Sequence, residues 1–368
     1  MTAIALSTAS ERTLAAMLAS HGAPSFRVAQ LRRATWQPFI GGMGEIRQFP
    51  MALRQVLAAG LQFSTVTIVG ESVADGGLTL KLLARLDDGL TVETVAMETP
   101  ARGRSRRRST VCVSTQVGCA VGCPFCATGR MGLRRSCTAA EVVDQVRAAS
   151  AAMHRRGLGP VTHVVYMGMG EPLAAYDTTV ASLRVLTGEG GISARRITVS
   201  TSGVVPAIHR LAGEGIDCTL AISLHAATDE LRDRLVPLNR AHPLHRLIDA
   251  GTKYAVRTGR RLSFEWCLIG GVNDSVEQAT ALGEIARRAH AHVNVIPMNH
   301  IADSPWGPPD RRTELAFLAA LGGATVTVRD TRGADTDAAC GQLRAALDQR
   351  RMLRPDGTLA PARRAVPG

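Results

Sequence analysis

From Ser109 onward the chain alternates short apolar, β-branched runs with longer stretches of helical periodicity, and that alternation constrains its fold more than any other feature. The runs fall at 110–114, 161–167, 196–200, 218–224, 262–268, 292–297 and 324–329. The helical stretches lie near 138–156, 175–187, 204–213, 243–257, 275–290, 311–321 and 335–352. Strand–helix–strand units make right-handed crossovers onto a parallel sheet. Six to seven such units over about 240 residues predict an α/β fold of the TIM-like barrel type, complete or partial, rather than a short open sheet. In such barrels the reactive groups belong at the C-terminal ends of the strands.

The residues ahead of this region are patterned differently. Residues 1–60 carry apolar helical periodicity at Thr13–Leu18, Val28–Trp36 and Pro50–Leu57, which predicts a small helical accessory module. Alternation at Thr65–Val69, Leu80–Ala84 and Leu90–Val95, with turns at Asp75-Gly76-Gly77 and Asp87-Asp88-Gly89, predicts a β-meander within 61–108. That segment ends in five arginines among the eight residues Ala101–Arg108, read either as a solvated linker or as a phosphate-contacting loop. The barrel region is taken as 109–352, and 353–368 as a loose tail rich in Pro, Arg and Ala.

Composition narrows the partners. Of 43 basic residues only Lys81 and Lys253 are lysines, and the net charge is +12. Arginine forks match phosphate oxygens, so a nucleic-acid partner is expected. Aromatic residues, at 4%, are too few for a long base-stacking groove. No stretch of 18 or more apolar residues occurs, and the first 30 residues carry Glu11, Arg12, His21 and Arg27 in place of a signal-peptide pattern. A cytoplasmic chain with no membrane partner is expected, and its eight cysteines then read as metal-binding, catalytic or buried.

The densest chemical signal is Cys119-Ala120-Val121-Gly122-Cys123-Pro124-Phe125-Cys126, just past the first barrel strand. Three thiolates at this spacing suit three irons of a 4Fe-4S cluster, with the fourth iron left open to a substrate. The competing reading adds Cys112 to make a four-cysteine zinc site. One β/α unit later, Met167-Gly168-Met169-Gly170-Glu171-Pro172 ends a strand, where glycines admit close backbone approach and Glu171 can meet an ammonium group.

Taken together, several segments resemble the RlmN/Cfr family of radical S-adenosylmethionine (SAM) RNA methyltransferases. They are Cys112–Cys119, Cys126-Ala127-Thr128-Gly129, Met167–Pro172, Ser200–Pro206, Ala221–Ala226, and Thr331-Arg332-Gly333 with Ala338–Leu343. They follow one another in the family's order from about residue 80 to 345. The stretch Gly132-Leu133-Arg134-Arg135-Ser136-Cys137-Thr138 is nearer to the Cfr-like form than to the RlmN form.

The resemblance implies a chemistry. Adenine carbons 2 and 8 are electron-poor, so polar displacement on a sulfonium methyl is closed to them and a radical route is needed. It implies one 4Fe-4S cluster on Cys119, Cys123 and Cys126, and two SAM molecules per turnover. It assigns the SAM site to Gly170, Glu171, Ser200, Ser223, Leu224, His225 and Asn299. Cys340 becomes the S-methylated carrier, Cys112 the thiol that resolves the adduct through a transient disulfide, and Glu93 the proton acceptor. Cys137, Cys218 and Cys267 are left as packing residues. The implied partners are 23S ribosomal RNA, with tRNA as a second substrate, and a flavodoxin-type reductant, for a monomeric enzyme. Methylation at carbon 2 is expected; methylation at carbon 8, as in Cfr, and a non-catalytic zinc-bound RNA-binding protein are the alternatives.

Overall fold

The computed structural model describes residues 3–329, apart from 102, 104, 105, 300, 302 and 303, together with residue 342. The chain opens with β1 (Ile4–Ala5), α1 (Glu11–Ala19), α2 (Phe26–Thr35), α3 (Met51–Gly60) and β2 (Leu61–Gln62). The Ser10 hydroxyl caps α1 by accepting from the Thr13 N–H at 3.0 Å, which satisfies one of the free donors at the helix start. Leu6, Leu14, Leu18, Leu31, Ile46, Phe49 and Leu57 bury their side chains together and give these helices a core of their own. Parallel pairing of β1 with β2 ties the two ends of the module together.

Next come β3 (Val66–Ala74), β4 (Thr79–Leu86), β5 (Thr91–Thr99) and β6 (Arg108–Cys112), paired antiparallel in succession. Glycine sits where the turns need positive φ, at Gly76 (63°), Gly77 (95°) and Gly89 (85°). Beyond β6, an excursion made of β7 (Gln116–Gly118), the cysteine loop, α4 (Ala127–Arg130) and β8 (Leu133–Ser136) is closed by antiparallel pairing of β7 with β8.

The remaining elements are α5 (Ala139–Arg155), β9 (His163–Tyr166), α6 (Tyr176–Thr187), β10 (Ile197–Thr201), α7 (Val205–Leu211), β11 (Thr219–Ser223), α8 (Asp229–Leu235), α9 (Leu244–Thr258), β12 (Ser263–Leu268), α10 (Val276–Arg288), β13 (His292–Pro297), α11 (Arg311–Ala320) and β14 (Val326–Val328). A capping box starts α5: Thr138 accepts from the Glu141 N–H while Glu141 reaches back to the Thr138 N–H, as its sequence spacing implies.

One sheet of ten strands joins the two halves, in the order β14-β13-β12-β11-β10-β9-β6-β5-β4-β3. The seven strands from β6 to β14 run parallel and in chain order, the topology of a barrel rather than of a doubly wound sheet. Among the described residues β14 pairs only with β13, so the described strands form a partial barrel. Every strand and helix read from the sequence between 109 and 329 is present within a few residues, with α4, α8, β7 and β8 in addition. The helix expected at 335–352 and the tail at 353–368 lie outside the described residues.

The barrel interior is polar where most barrels pack branched apolar layers. Ser223, Glu265, Asn294 and Thr327 stand in one register row across β11, β12, β13 and β14. Ser200 and Ser263 lie on the same inner face, while Val199, Leu220, Phe264 and Val293 alternate outward under the helices. This polar wall shapes an open space at the strands' C-terminal ends.

Candidate active site

A single cavity at that end gathers Cys119, Cys123 and Cys126 with Gly170, Glu171, Ser200, Ser223, His225 and Asn299. These residues come from the cysteine loop and from the ends of β9, β10, β11 and β13, as a barrel site requires. The loop is pinned tightly. The Cys119 N–H donates to the Gly132 carbonyl at 3.1 Å and the Cys126 N–H to the Cys123 carbonyl at 3.1 Å. Gly118 adopts φ +77°, and a Cβ there would lie 1.8 Å from the Gly132 carbonyl oxygen, so only glycine fits. Gly170, at φ +102°, packs so closely on Gln116 that a Cβ would come within 2.5 Å of its side chain.

Burial pushes the thiol of Cys119 up to about 12, and it raises those of Cys123 and Cys126 as well. Neutral thiols are what a buried trio holds without a cation beside it; metal ligation deprotonates them. The donor set fits a cluster, in which each thiolate takes a different iron. Among the described residues no three His, Cys, Asp or Glu side chains converge on one metal ion, and Cys112 is not on the cavity wall, so the four-cysteine zinc reading finds no support.

Glu171 is 4% exposed and its carboxylate is largely committed to the protein. Its Oε2 accepts from the Ser202 N–H at 2.7 Å and the Ser202 hydroxyl at 2.6 Å, and its Oε1 from the Leu173 N–H at 3.0 Å. About one lone-pair site remains for a ligand, so the expected ammonium partner is also a clamp on the end of β10. Burial raises its pKa, with the Ser202 donors opposing. Ser200 and Ser223 meet hydroxyl to hydroxyl at 3.3 Å across the cavity floor. His225 has φ +61°, accepts the Cys267 N–H at Nδ1 (2.9 Å) and meets Phe125 edge-on at 4.9 Å. Burial drives its pKa down to about 3, so the ring is neutral.

Two expectations change, and one residue is added to the site. The side chain of Leu224 is fully buried in the main core and off the cavity wall, while its N–H donates to the Glu265 carbonyl and its carbonyl accepts from Arg232. Cys267, read as packing, is half-buried on the cavity wall because the two-residue alternation of β12 turns it inward. Glu265 is on the same wall and was missed; a polar residue at an inward position of an apolar strand is the signal that marks it. Cys137 and Cys218 are buried in the core.

Glu93 and Cys112 do not line this cavity, but the sheet brings them together. Val95 of β5 pairs with Cys112 of β6, so Glu93 lies one step along on the same face as Cys112. Glu93 is 5% exposed, and the Lys81 ammonium of β4 is 3.5 Å from its Oε1. The Ser114 hydroxyl donates to the Glu93 carbonyl at 2.6 Å and accepts from the Met169 N–H at 2.9 Å, linking this strand to the Gly-rich strand end. Cys340 lies outside the described residues, and all seven described cysteines are free of disulfides.

A cysteine loop that would place three thiolates at the mouth of a partial parallel barrel defines a radical SAM enzyme, and the radical SAM superfamily model matches residues 113–282. A radical SAM methyltransferase from Sphaerobacter thermophilus superposes with a TM-score of 0.88 at 45% identity, covering 93% of this chain and 100% of that one. Proteins named probable dual-specificity RNA methyltransferase RlmN match as well. The one from Bifidobacterium adolescentis is 45% identical over 88% of this chain and 86% of its own length. The one from Mycolicibacterium vanbaalenii is 43% identical over 90% and 92%. The chain belongs to the RlmN/Cfr family of radical SAM RNA methyltransferases. Its family implies a 4Fe-4S cluster, SAM and an RNA substrate. Among the described residues, no helix is long and apolar enough to cross a membrane.

Proposed function

We propose that the chain methylates carbon 2 of an adenine in 23S ribosomal RNA, and in tRNA as a second substrate, with Cys340 as the methyl carrier. The observation that carries the reading is the convergence of Cys119, Cys123 and Cys126 with Gly170, Glu171, Ser200, Ser223, His225 and Asn299 on one cavity. The dual specificity in the relatives' names supports two RNA substrates, and their being named RlmN rather than Cfr favours carbon 2 over carbon 8. When bound, the cluster and SAM supply a carbon-centred radical. The three cysteines would hold the cluster, and the Gly170 to Asn299 set would hold SAM.

Within this reading the chain's own residues do the rest. Cys340 accepts a methyl group from one SAM and a second SAM is consumed in activating it, which accounts for two per turnover. Glu93 takes the ring proton, and the Cys112 thiolate then displaces the base from the Cys340 sulfur: the disulfide forms as the sulfur–carbon bond breaks, and the carbon keeps the electron pair and takes up a proton to become the methyl group. The neighbouring register of Glu93 and Cys112, and the Lys81 charge beside Glu93, support these roles. A flavodoxin-type donor returns the electrons, and the enzyme works as a cytoplasmic monomer. The +12 charge supplies phosphate affinity that weakens steeply with salt.

The test is mass spectrometry of nucleosides from ribosomal RNA and tRNA of cells with and without the gene. Loss of 2-methyladenosine from both is expected. Loss of 8-methyladenosine would move the reading to carbon 8, and no change in either mark would overturn the substrate.

A further inference from the structure

Arg232 of α8 is fully buried directly behind the cavity wall. Its Nη2 donates to the carbonyls of Ser202 (2.7 Å) and Ser223 (3.1 Å), its Nε to that of Leu224 (3.0 Å), and its Nη1 to the Asn239 side-chain oxygen (2.9 Å). One guanidinium thus holds the ends of β10 and β11, the two strands that deliver Ser200, Ser202, Ser223 and His225 to the cavity. None of these partners is a carboxylate. Asp229 and Asp233 are tied to it through Asn239, whose Nδ2 donates to both, at 2.8 and 2.7 Å, and their charges, with that of Glu171, act on it without touching it.

A buried cation is costly unless it is compensated, and here the compensation comes from backbone carbonyls and from carboxylates that do not touch it. The neighbouring Leu231 packs in the same apolar cluster as Cys123, Cys126 and Phe125, so α8 backs the cysteine loop. The carbonyls it holds belong to Ser202 and Ser223, which share the cavity wall with Cys119, Cys123 and Cys126, and its charge helps to keep His225 on that wall deprotonated.

We infer that Arg232 is a positioning residue with an electrostatic duty: it fixes the strand ends and raises the reduction potential of the cluster held by the three cysteines. Reduction adds one negative charge to the cluster, and a fixed, desolvated positive charge nearby stabilises the reduced form. The inference rests on the cluster reading above, and its test separates the two.

The experiment is an EPR-monitored redox titration of the full-length, iron-loaded chain and of Arg232→Met, Arg232→Lys and Asp233→Asn, with iron counted per chain and the melting temperature of each metal-free chain recorded. Arg232→Met should shift the one-electron equilibrium toward the oxidised form by about tenfold, which is about 59 mV. Arg232→Lys keeps the charge and loses most of the clamp, so its potential should stay near wild type while its melting temperature falls. Asp233→Asn retains an oxygen that can face Asn239 and removes an opposing charge, so it should shift the equilibrium about threefold toward the reduced form. A loaded Arg232→Met with the wild-type potential overturns the duty of Arg232 alone. Should that variant fail to load, an unmoved potential in Asp233→Asn overturns it equally. A wild-type chain that binds no iron would instead overturn the cluster reading.

Discussion

Ser202 gives both its backbone N–H and its hydroxyl to the same oxygen of Glu171, at 2.7 and 2.6 Å, while its carbonyl accepts from Arg232. The end of β10 is therefore held between a buried carboxylate and a buried guanidinium. In Glu171→Gln the charge is lost, and whichever way the amide turns, its NH₂ group faces an N–H donor: Ser202 on one side or Leu173 on the other. A loss of about 2 kcal/mol is expected from the weaker and unmade bonds, read as a lower denaturant midpoint at unchanged slope. SAM binding by equilibrium dialysis should weaken in parallel.

His225 ties stability to pH. Its pKa falls from 6.5 to about 3 on folding, chiefly through burial, and protonation would also destroy the bond its Nδ1 accepts from Cys267. For a histidine with a lowered folded pKa, the unfolded chain binds the proton first. Stability is then full above pH 6.5 and declines as pH falls toward 3, by at most about 1.4 kcal/mol per pH unit. Melting curves of wild type and His225→Asn between pH 7 and 4.5 should converge on acidification; parallel curves would remove His225 as the cause.

The cysteine loop should be intolerant of a single methyl group. Gly118→Ala combines a positive φ with a Cβ placed 1.8 Å from the Gly132 carbonyl, so the β7–β8 closure must shift. A loss of about 3 kcal/mol or more is expected, together with less iron bound per chain after reconstitution. Gly122→Ala is the control: its φ is +72°, yet open space surrounds the added carbon, so only backbone strain of about 1 kcal/mol is expected.

Lys81→Met strips the ammonium from a carboxylate that is 5% exposed. Removing one partner of a buried pair costs about 3 kcal/mol, because the other charge is left behind. The double variant Lys81→Met, Glu93→Gln should regain much of that loss in urea melts. The same double variant should still fail to methylate RNA if Glu93 takes the ring proton.

The barrel was legible because its parallel strands and the helices between them, α8 apart, are written in local periodicity. The cysteine trio was legible because three ligands within eight residues need no tertiary information. Ser202, Glu265 and Arg232 were not, since their roles exist only once β10, β11, β12 and α8 are in register. Cys267 and Leu224 show the same limit from the other side: a family motif names a neighbourhood, and strand alternation decides which side chain turns into it. The meander read as a separate piece because a run of arginines interrupts it, yet β5 and β6 pair straight across that interruption.

That pairing relieves the arginine-rich link of positioning Cys112, although Arg107 at its end still meets the buried Glu98 at 3.8 Å. Five register pairs, from Val95 with Cys112 to Thr99 with Arg108, fix where Cys112 stands relative to Glu93 whatever the link contains. Because loop closure depends only weakly on length, the link is a place where insertions and drift in composition are cheap. It is the natural point at which such an enzyme can be tailored to a different surface, or an engineer can splice in a reporter, with the chemistry left in frame.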